Sequence, residues 1–313
     1  MILGLYASER ESSAAVIDSS GQLYGDAKAS GFVWGEHDDT RLKQTLRRLA
    51  DRARNRAQVR RMGIESVCVC LQGVQENAEL ARLEALVKEA QLAPVLRATS
   101  DLAALHMAAF TGRPGVVVEA DQHLRVYAAN GESRPIYVEQ TAGSAYSLGK
   151  DALQAATDAL DGVGEATLFS EDVARMYAVM SSADMFGYMY TTGISAKDTV
   201  DMVPDVIRCS NRGDTVMNRL VEYTLRDTMQ ALEAALGRTE MPEPLELALF
   251  GRLFSERETQ RLMRRNLLRK LPNSRLASVD LDPDLGACLL ALELLKDNVG
   301  LAASVLRQQR KSS

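Results

Sequence analysis

Apolar and polar positions divide the chain into two halves with similar patterns. Residues 1–6 form a short apolar run and 13–18 a second. Ser19-Ser20-Gly21 reads as a tight turn before a third at 22–28, so the chain predicts an opening β-meander. Leu42, Leu46, Leu49, Ala53 and Ala57 recur at helical spacing and predict a long, strongly basic helix over 39–62. A strand at 64–71, a helix at 76–90, a strand at 94–98 and a helix at 102–110 follow, an order that implies crossovers and parallel pairing. The pattern then restarts. Strands are expected at 115–119, 124–129 and 136–138, with Asn130-Gly131 as a hairpin signal. Helices run from 151 onward, including a long one at 215–236. A buried strand at 245–250, a basic amphipathic helix at 256–269 and a strand at 276–280 come next. Asp282 as N-cap and Pro283 at the first helical position open a helix at 284–295. The last residues, RQQRKSS, predict a frayed end.

With 313 residues, 46% hydrophobic and 25% charged, the chain suits two domains, each with a core. We place them at 1–114 and 115–313, with the last helix returning to the first lobe. The net charge of −5 argues against nucleic acid as a partner. No apolar run reaches about 18 residues, so no membrane span is expected. The first 13 residues meet charge at Glu9 and hold no signal-peptide core, so the expected location is cytoplasmic. Cys68, Cys70, Cys209 and Cys288 form neither a CxxC pair nor a disulfide framework and read as small core residues. His37, His106 and His123 lack metal-ligand spacing. Two features leave alternatives open. The basic helix 39–62 is a solvated face or a surface for an acidic partner or nucleic acid. Met176, Met180, Met185, Met189 and Met202, with Phe186, Tyr188 and Tyr190, fill a core or form an interaction surface.

Several segments recur in a familiar order and spacing. They are Gly4-Leu5 with its loop, Ala14–Asp18 and Gly21; Gln72-Gly73 after a strand; Thr99-Ser100-Asp101-Leu102; Gly143-Ser144-Ala145-Tyr146; Gly213-Asp214 before the long helix; Leu249-Phe250-Gly251; and Gly286-Ala287-Cys288. Together they resemble the BadF/BadG/BcrA/BcrD ATPase family, which includes the N-acetylglucosamine kinases, within the actin/hexokinase/Hsp70 superfamily. The resemblance implies an α/β, two-lobed actin/hexokinase-like (ribonuclease H-like) fold with duplicated mixed sheets flanked by helices. It implies Asp101 as catalytic base, with a helix cap as that residue's plain structural alternative. It implies cofactor contacts at Gly4, Ser8 and Gly251 and substrate contacts at Gln72, Gly73, Gly143 and Ser144; no metal ligand is expected, because Tyr6 stands where the family's loop carries the acid that organises Mg²⁺. A small sugar ligand and a homo-oligomer, a homodimer in the simplest case, are the partners expected.

Other positions depart from that pattern. The family carries Asp-Gly-Gly-Gly-Thr in the first loop, where this chain has Tyr6-Ala7-Ser8-Glu9-Arg10. It carries Ser-Gly-Thr-Gly-Ser in the second, where this chain has Glu119-Ala120-Asp121-Gln122. Glycines there let backbone N–H groups approach phosphate, and acids oppose it. The Asp-Glu that the family uses on the sugar before Gly143 is Thr141-Ala142 here. Phosphoryl transfer depends on positioning and charge neutralisation. The expectation is therefore a kinase-like protein that is catalytically impaired and acts by binding or regulation. The alternatives are an active amino-sugar kinase using ATP, Mg²⁺ and Asp101, and an assembly module built on the Met-rich stretch. An iron–sulfur activator role would need accessible cysteines, which a buried strand does not offer.

Overall fold

The computed structural model describes residues 1–60, 63–74 and 77–312, with the side chains of Phe186, Met189, Tyr190 and Ser312 left out. The chain forms two units, one of residues 1–113 with 277–313 and the other of residues 114–276.

The first unit opens with β1 (Ile2–Ala7), β2 (Glu11–Ile17) and β3 (Leu23–Ser30), an antiparallel meander. It continues through α1 (Asp39–Arg56), β4 (Ser66–Leu71), α2 (Asn77–Ala90), β5 (Val95–Ser100) and α3 (Asp101–Phe110). β4 and β5 add in parallel to give a five-stranded sheet in the order β3-β2-β1-β4-β5. All six residues of β1 and of β4 are buried, the pattern of strands covered on both faces. On one face Leu3, Leu5, Val67 and Val69 share a core with Leu42 and Leu46 of α1 and Leu83 and Leu86 of α2.

The second unit repeats this plan. β6 (Gly115–Ala120), β7 (Leu124–Ala129) and β8 (Ile136–Gln140) form the meander, and β9 (Leu245–Phe250) and β10 (Ser274–Leu276) add in parallel. Read from the other edge, β8-β7-β6-β9-β10, the order is that of the first sheet, position for position. Between β8 and β9 lie α4 (Ala145–Leu160), α5 (Phe169–Tyr177), α6 (Ser182–Thr191), α7 (Ala196–Asp201), α8 (Val203–Asn211) and α9 (Thr215–Leu236). α10 (Arg257–Lys270) connects β9 to β10, and α11 (Pro283–Glu293) and α12 (Val299–Ser312) end the chain. The expected fold class is therefore present: two mixed sheets of one topology, each flanked by helices.

Several sequence expectations are corrected. α1 stops at Arg56 because Gln58 adopts a left-handed conformation (φ 55°), which ends the helical ladder. The remaining expected helix residues Arg61 and Met62, like the start of the second helix at Glu76, lie outside the described residues. β10 covers 274–276 rather than 276–280. Residues 277–313, placed in the second lobe apart from their last helix, belong to the first unit, where α11 packs on β1, β2, β4 and α3. The expected frayed end is helical, because Ala302, Ala303 and Leu306 are buried and Gln309 accepts a hydrogen bond from the Leu23 N–H (3.1 Å). Asp282 stands at the N-cap position of α11 but makes no side-chain cap; its carboxylate pairs with Arg310.

The basic helix α1 has neutralising neighbours. Arg47 donates to the carbonyls of Glu89 and Ala90 at the end of α2 (2.9 and 3.1 Å), where cations suit the helix dipole. Arg54 pairs with Asp51 at 2.9 Å. Of the methionines, Met185 and Met202 are buried, whereas Met176 and Met180 are exposed. The side chains of Met189, Phe186 and Tyr190 lie outside the described ones. Among the described residues no helix is long and apolar enough to cross a membrane.

Candidate functional site

In the first sheet, Ala7 lies beside Leu71 and Leu71 beside Ser100. The segments that follow, Ser8, Gln72-Gly73 and Asp101, therefore leave from one edge, the carboxyl end of three parallel strands. Open α/β sheets bind ligands at that edge. The sequence-predicted residues of this unit are thus brought together, apart from Gly4. Gly4 sits in mid-strand, where a Cβ would stand 2.4 Å from the Asp284 carbonyl and the Cys288 N–H nitrogen. Its missing side chain admits α11, so Gly4 serves packing rather than a cofactor.

The loop after β1 is closed on itself. Ser8 N–H donates to the Glu11 carbonyl (2.9 Å), and Glu9 N–H donates to Gln72 Oε1 (2.9 Å). Gln72 N–H donates to the Ala7 carbonyl (2.9 Å), and its carbonyl accepts from Trp34 N–H (2.8 Å). Gly73 lies against Trp34, whose Cβ a side chain would meet at 3.3 Å. A phosphate-gripping loop needs such N–H groups pointing outward. Here protein acceptors hold them.

Asp101 is the first residue of α3 and is fully buried, with 0% exposure. The N-cap is Ser100, so the cap reading of Asp101 is corrected by one position. A first-turn carboxylate suits the helix dipole. A catalytic base must also reach a substrate hydroxyl, and in this arrangement no surface of Asp101 is accessible.

At the carboxyl edge of the second sheet, Glu119 of β6 lies beside Phe250 of β9. Gly251 follows with φ +90°, and a Cβ there would stand 2.5 Å from the Ala120 carbonyl oxygen, so glycine is needed on both counts. Asp121 Oδ1 accepts from the Arg252 N–H (2.6 Å) and the Asp121 carbonyl from Tyr146 N–H (3.0 Å). One acidic residue thus ties the turn after β9 to the start of α4. Gly143 adopts φ +81° and accepts from Thr228 Oγ1 (3.1 Å), which pins the approach to α4 against α9. The Ser144 hydroxyl caps α4 by accepting from Ser147 N–H (3.0 Å), a helix-start role rather than a free substrate contact.

The expected repulsion from Glu119 is also corrected. Arg125 Nε donates to Glu119 Oε2 at 2.8 Å, with the two side chains only 4% and 9% exposed. The sequence reading missed Arg125. The signal was available: a three-residue turn after β6 places residue 125 opposite residue 119. Asp284 was missed as well. It is buried in the first turn of α11, and desolvation foremost, with nearby Asp282, pushes its carboxyl up to about 6.

Burial pushes the Cys70 and Cys288 thiols well up, so these are packing thiols rather than thiolate ligands. Among the described residues, no three His, Cys, Asp or Glu side chains could hold a metal together.

No family model matches the chain. It is 20% identical over 177 residues to an N-acetylmuramic acid/N-acetylglucosamine kinase of Clostridium acetobutylicum, a match spanning 55% of this chain and 58% of that protein's length. A candidate N-acetylglucosamine kinase from Chromobacterium violaceum superposes with a TM-score of 0.71 at 17% identity, over 94% of this chain and 98% of the other. A second, from Porphyromonas gingivalis, gives 0.68 at 16% identity over 95% and 99%. A ROK hexokinase from Thermus thermophilus gives 0.55 at 17% over 94% and 99%. The chain thus shares the actin/hexokinase fold of these solved structures, and part of it is similar in sequence to an amino-sugar kinase, in line with the resemblance read from the sequence.

Proposed function

We propose that this protein is an amino-sugar-kinase relative whose phosphoryl-transfer apparatus is impaired, and that it acts by binding or regulation. One observation carries the reading: backbone donors at both loops already have protein acceptors. In the first loop Glu9 N–H is held by Gln72 and Ser8 N–H by Glu11, and in the second Asp121 N–H is held by the His123 carbonyl. Releasing them would leave polar groups to be repaid by the ligand, at about 1–3 kcal/mol each. As arranged, these residues do not fit a triphosphate. The test is thermal unfolding with and without ATP and Mg²⁺, together with a phosphorylation assay on N-acetylglucosamine. We expect no nucleotide-dependent rise in Tm and no sugar phosphate. Robust turnover overturns the reading.

A second reading has one observation in its favour. Asp101 stands at the carboxyl end of β5, beside the Gln72 turn, where the base of an ATP-dependent amino-sugar kinase would lie. It requires that Asp101→Asn abolish turnover while the protein keeps its fold.

A further inference from the structure

α10 is the most concentrated cationic element among the described helices. Its 14 residues carry Arg257, Arg261, Arg264, Arg265, Arg269 and Lys270 against one carboxylate, Glu258, in a chain whose net charge is −5. Arg261 is paired with Glu258 (2.6 Å) and Lys270 with Glu233 (2.7 Å). Arg257, Arg264, Arg265 and Arg269 are exposed and make no ion pair or side-chain hydrogen bond among the described residues. α1 differs, since Lys43, Arg47, Arg54 and Arg56 there have partners. Like charges gathered without counterions raise the local potential and cost stability unless something anionic meets them.

The surface beside these arginines is a groove. α9 and α10 enclose about 460 Å³, within the range of ligand clefts. Tyr223 and the half-buried Leu262 supply the accessible apolar lining over a floor of buried Leu225 and Met229, Arg265 and Arg269 line it from α10, and Glu222 stands on the α9 side. On the α9 side Arg226 lies over the Tyr223 ring at 4.7 Å, and that ring is 48% exposed. Leu268, 51% exposed, adds an apolar point on the other side of α10, where Arg257, Arg261 and Arg264 line a second depression. A 14-residue helix is about 21 Å long. Cations along its whole length suit an elongated partner rather than a compact anion.

We infer that the α9–α10 groove docks an acidic amphipathic helix of a protein partner. The apolar lining matches the i, i+3, i+4 face of such a helix, and the unpaired arginines match its carboxylates. A polyanion such as nucleic acid has no use for the apolar lining, whereas an amphipathic helix uses both the lining and the arginines. The inference is independent of the loops at residues 8–9 and 119–121, so it stands whether or not nucleotide binds.

The test uses the full chain and a fluorescein-labelled peptide of Leu-Glu-Glu-Leu repeats, followed by anisotropy. We expect saturable binding that weakens as salt is raised. The pair Arg265→Glu and Arg269→Glu should weaken it at least about tenfold. Arg265→Gln with Arg269→Gln should give a smaller loss in the same direction. Leu262→Ala should weaken it without changing its salt dependence. Arg48→Glu with Arg52→Glu, exposed positions on α1, should leave it unchanged. Circular dichroism on each variant separates lost binding from lost fold. The inference is overturned by no saturable binding, by equal losses from the α1 pair, or by indifference to Leu262→Ala. It is equally overturned if duplex DNA or phosphatidylglycerol vesicles bind through the same arginines while the peptide does not. Self-association abolished by the α10 pair would make the occupant a second copy and overturn it too.

Discussion

Asp284 and the Glu119–Arg125 pair show how burial decides what a charge does. The folded pKa of Asp284 is raised from 3.8 to about 6 by desolvation, with Asp282 adding to it and Lys28 and Arg310 opposing. A raised carboxyl pKa means the folded state holds its proton longer than the unfolded one. Its contribution is therefore fully present below about pH 4 and is lost as pH rises through about 6, by an amount on the order of 3 kcal/mol. Asp284→Asn should remove that slope and be more stable than the parent above pH 7, with little difference near pH 3.5. Urea unfolding at a series of pH values measures it. Glu119 is the opposite case, a buried charge with its counterion in contact. Arg125→Met should cost about 3–5 kcal/mol, because it strands the carboxylate, and removing both partners together should cost less than removing Arg125 alone. A double-mutant cycle in chemical denaturation reads the difference.

At the scale of elements, α11 is defined by two close approaches. Gly4 of β1 receives it on one side, and on the other Gly286 meets α3 so closely that a Cβ would stand 2.1 Å from the Ala104 carbonyl oxygen. Gly286→Ala should therefore destabilise by about 1–3 kcal/mol or more, since backbone rather than a flexible side chain is in the way. Thermal unfolding checks it. In the sequence Gly286 stands out as part of the Gly286-Ala287-Cys288 segment that opens a helix. The sequence left Gly4 looking like part of a loop, because a strand glycine beside a loop motif carries no mark of what packs above it. Elements with their own pattern were legible in full: α9 and β9 occupy the expected 215–236 and 245–250. Elements decided by tertiary contact were not. α1 ends without a glycine or proline, and α12 folds from a polar tail because Ala302, Ala303 and Leu306 find a surface. The candidate site followed the same rule. Its backbone frame could be read from glycines and spacing, whereas the partners that occupy its donors, Gln72 Oε1 and Asp121 Oδ1, appear only when strands far apart in sequence lie side by side.

For the whole molecule, the two units repeat one sheet order but are built differently from the chain. The second unit is a single stretch, 114–276, and its core residues all come from within it. The first is assembled from 1–113 and 277–313. α11 supplies Leu285, Leu289, Leu290 and Leu292, each at most 5% exposed. At about 1.5–3 kcal/mol per fully buried leucine, these four alone contribute roughly 6–12 kcal/mol. That is comparable with the entire stability of an ordinary domain, about 5–15 kcal/mol. Without the C-terminal segment the first sheet would also expose Gly4 and the buried Cys68 and Cys70 strand. A fragment of residues 114–276 should therefore unfold cooperatively on its own. Residues 1–113 should not, and should gain a cooperative transition when joined by a flexible linker to 277–313. Heat-capacity scans of the three fragments decide it: cooperative unfolding of 1–113 alone would mean that α11 lies on a sheet already stable without it.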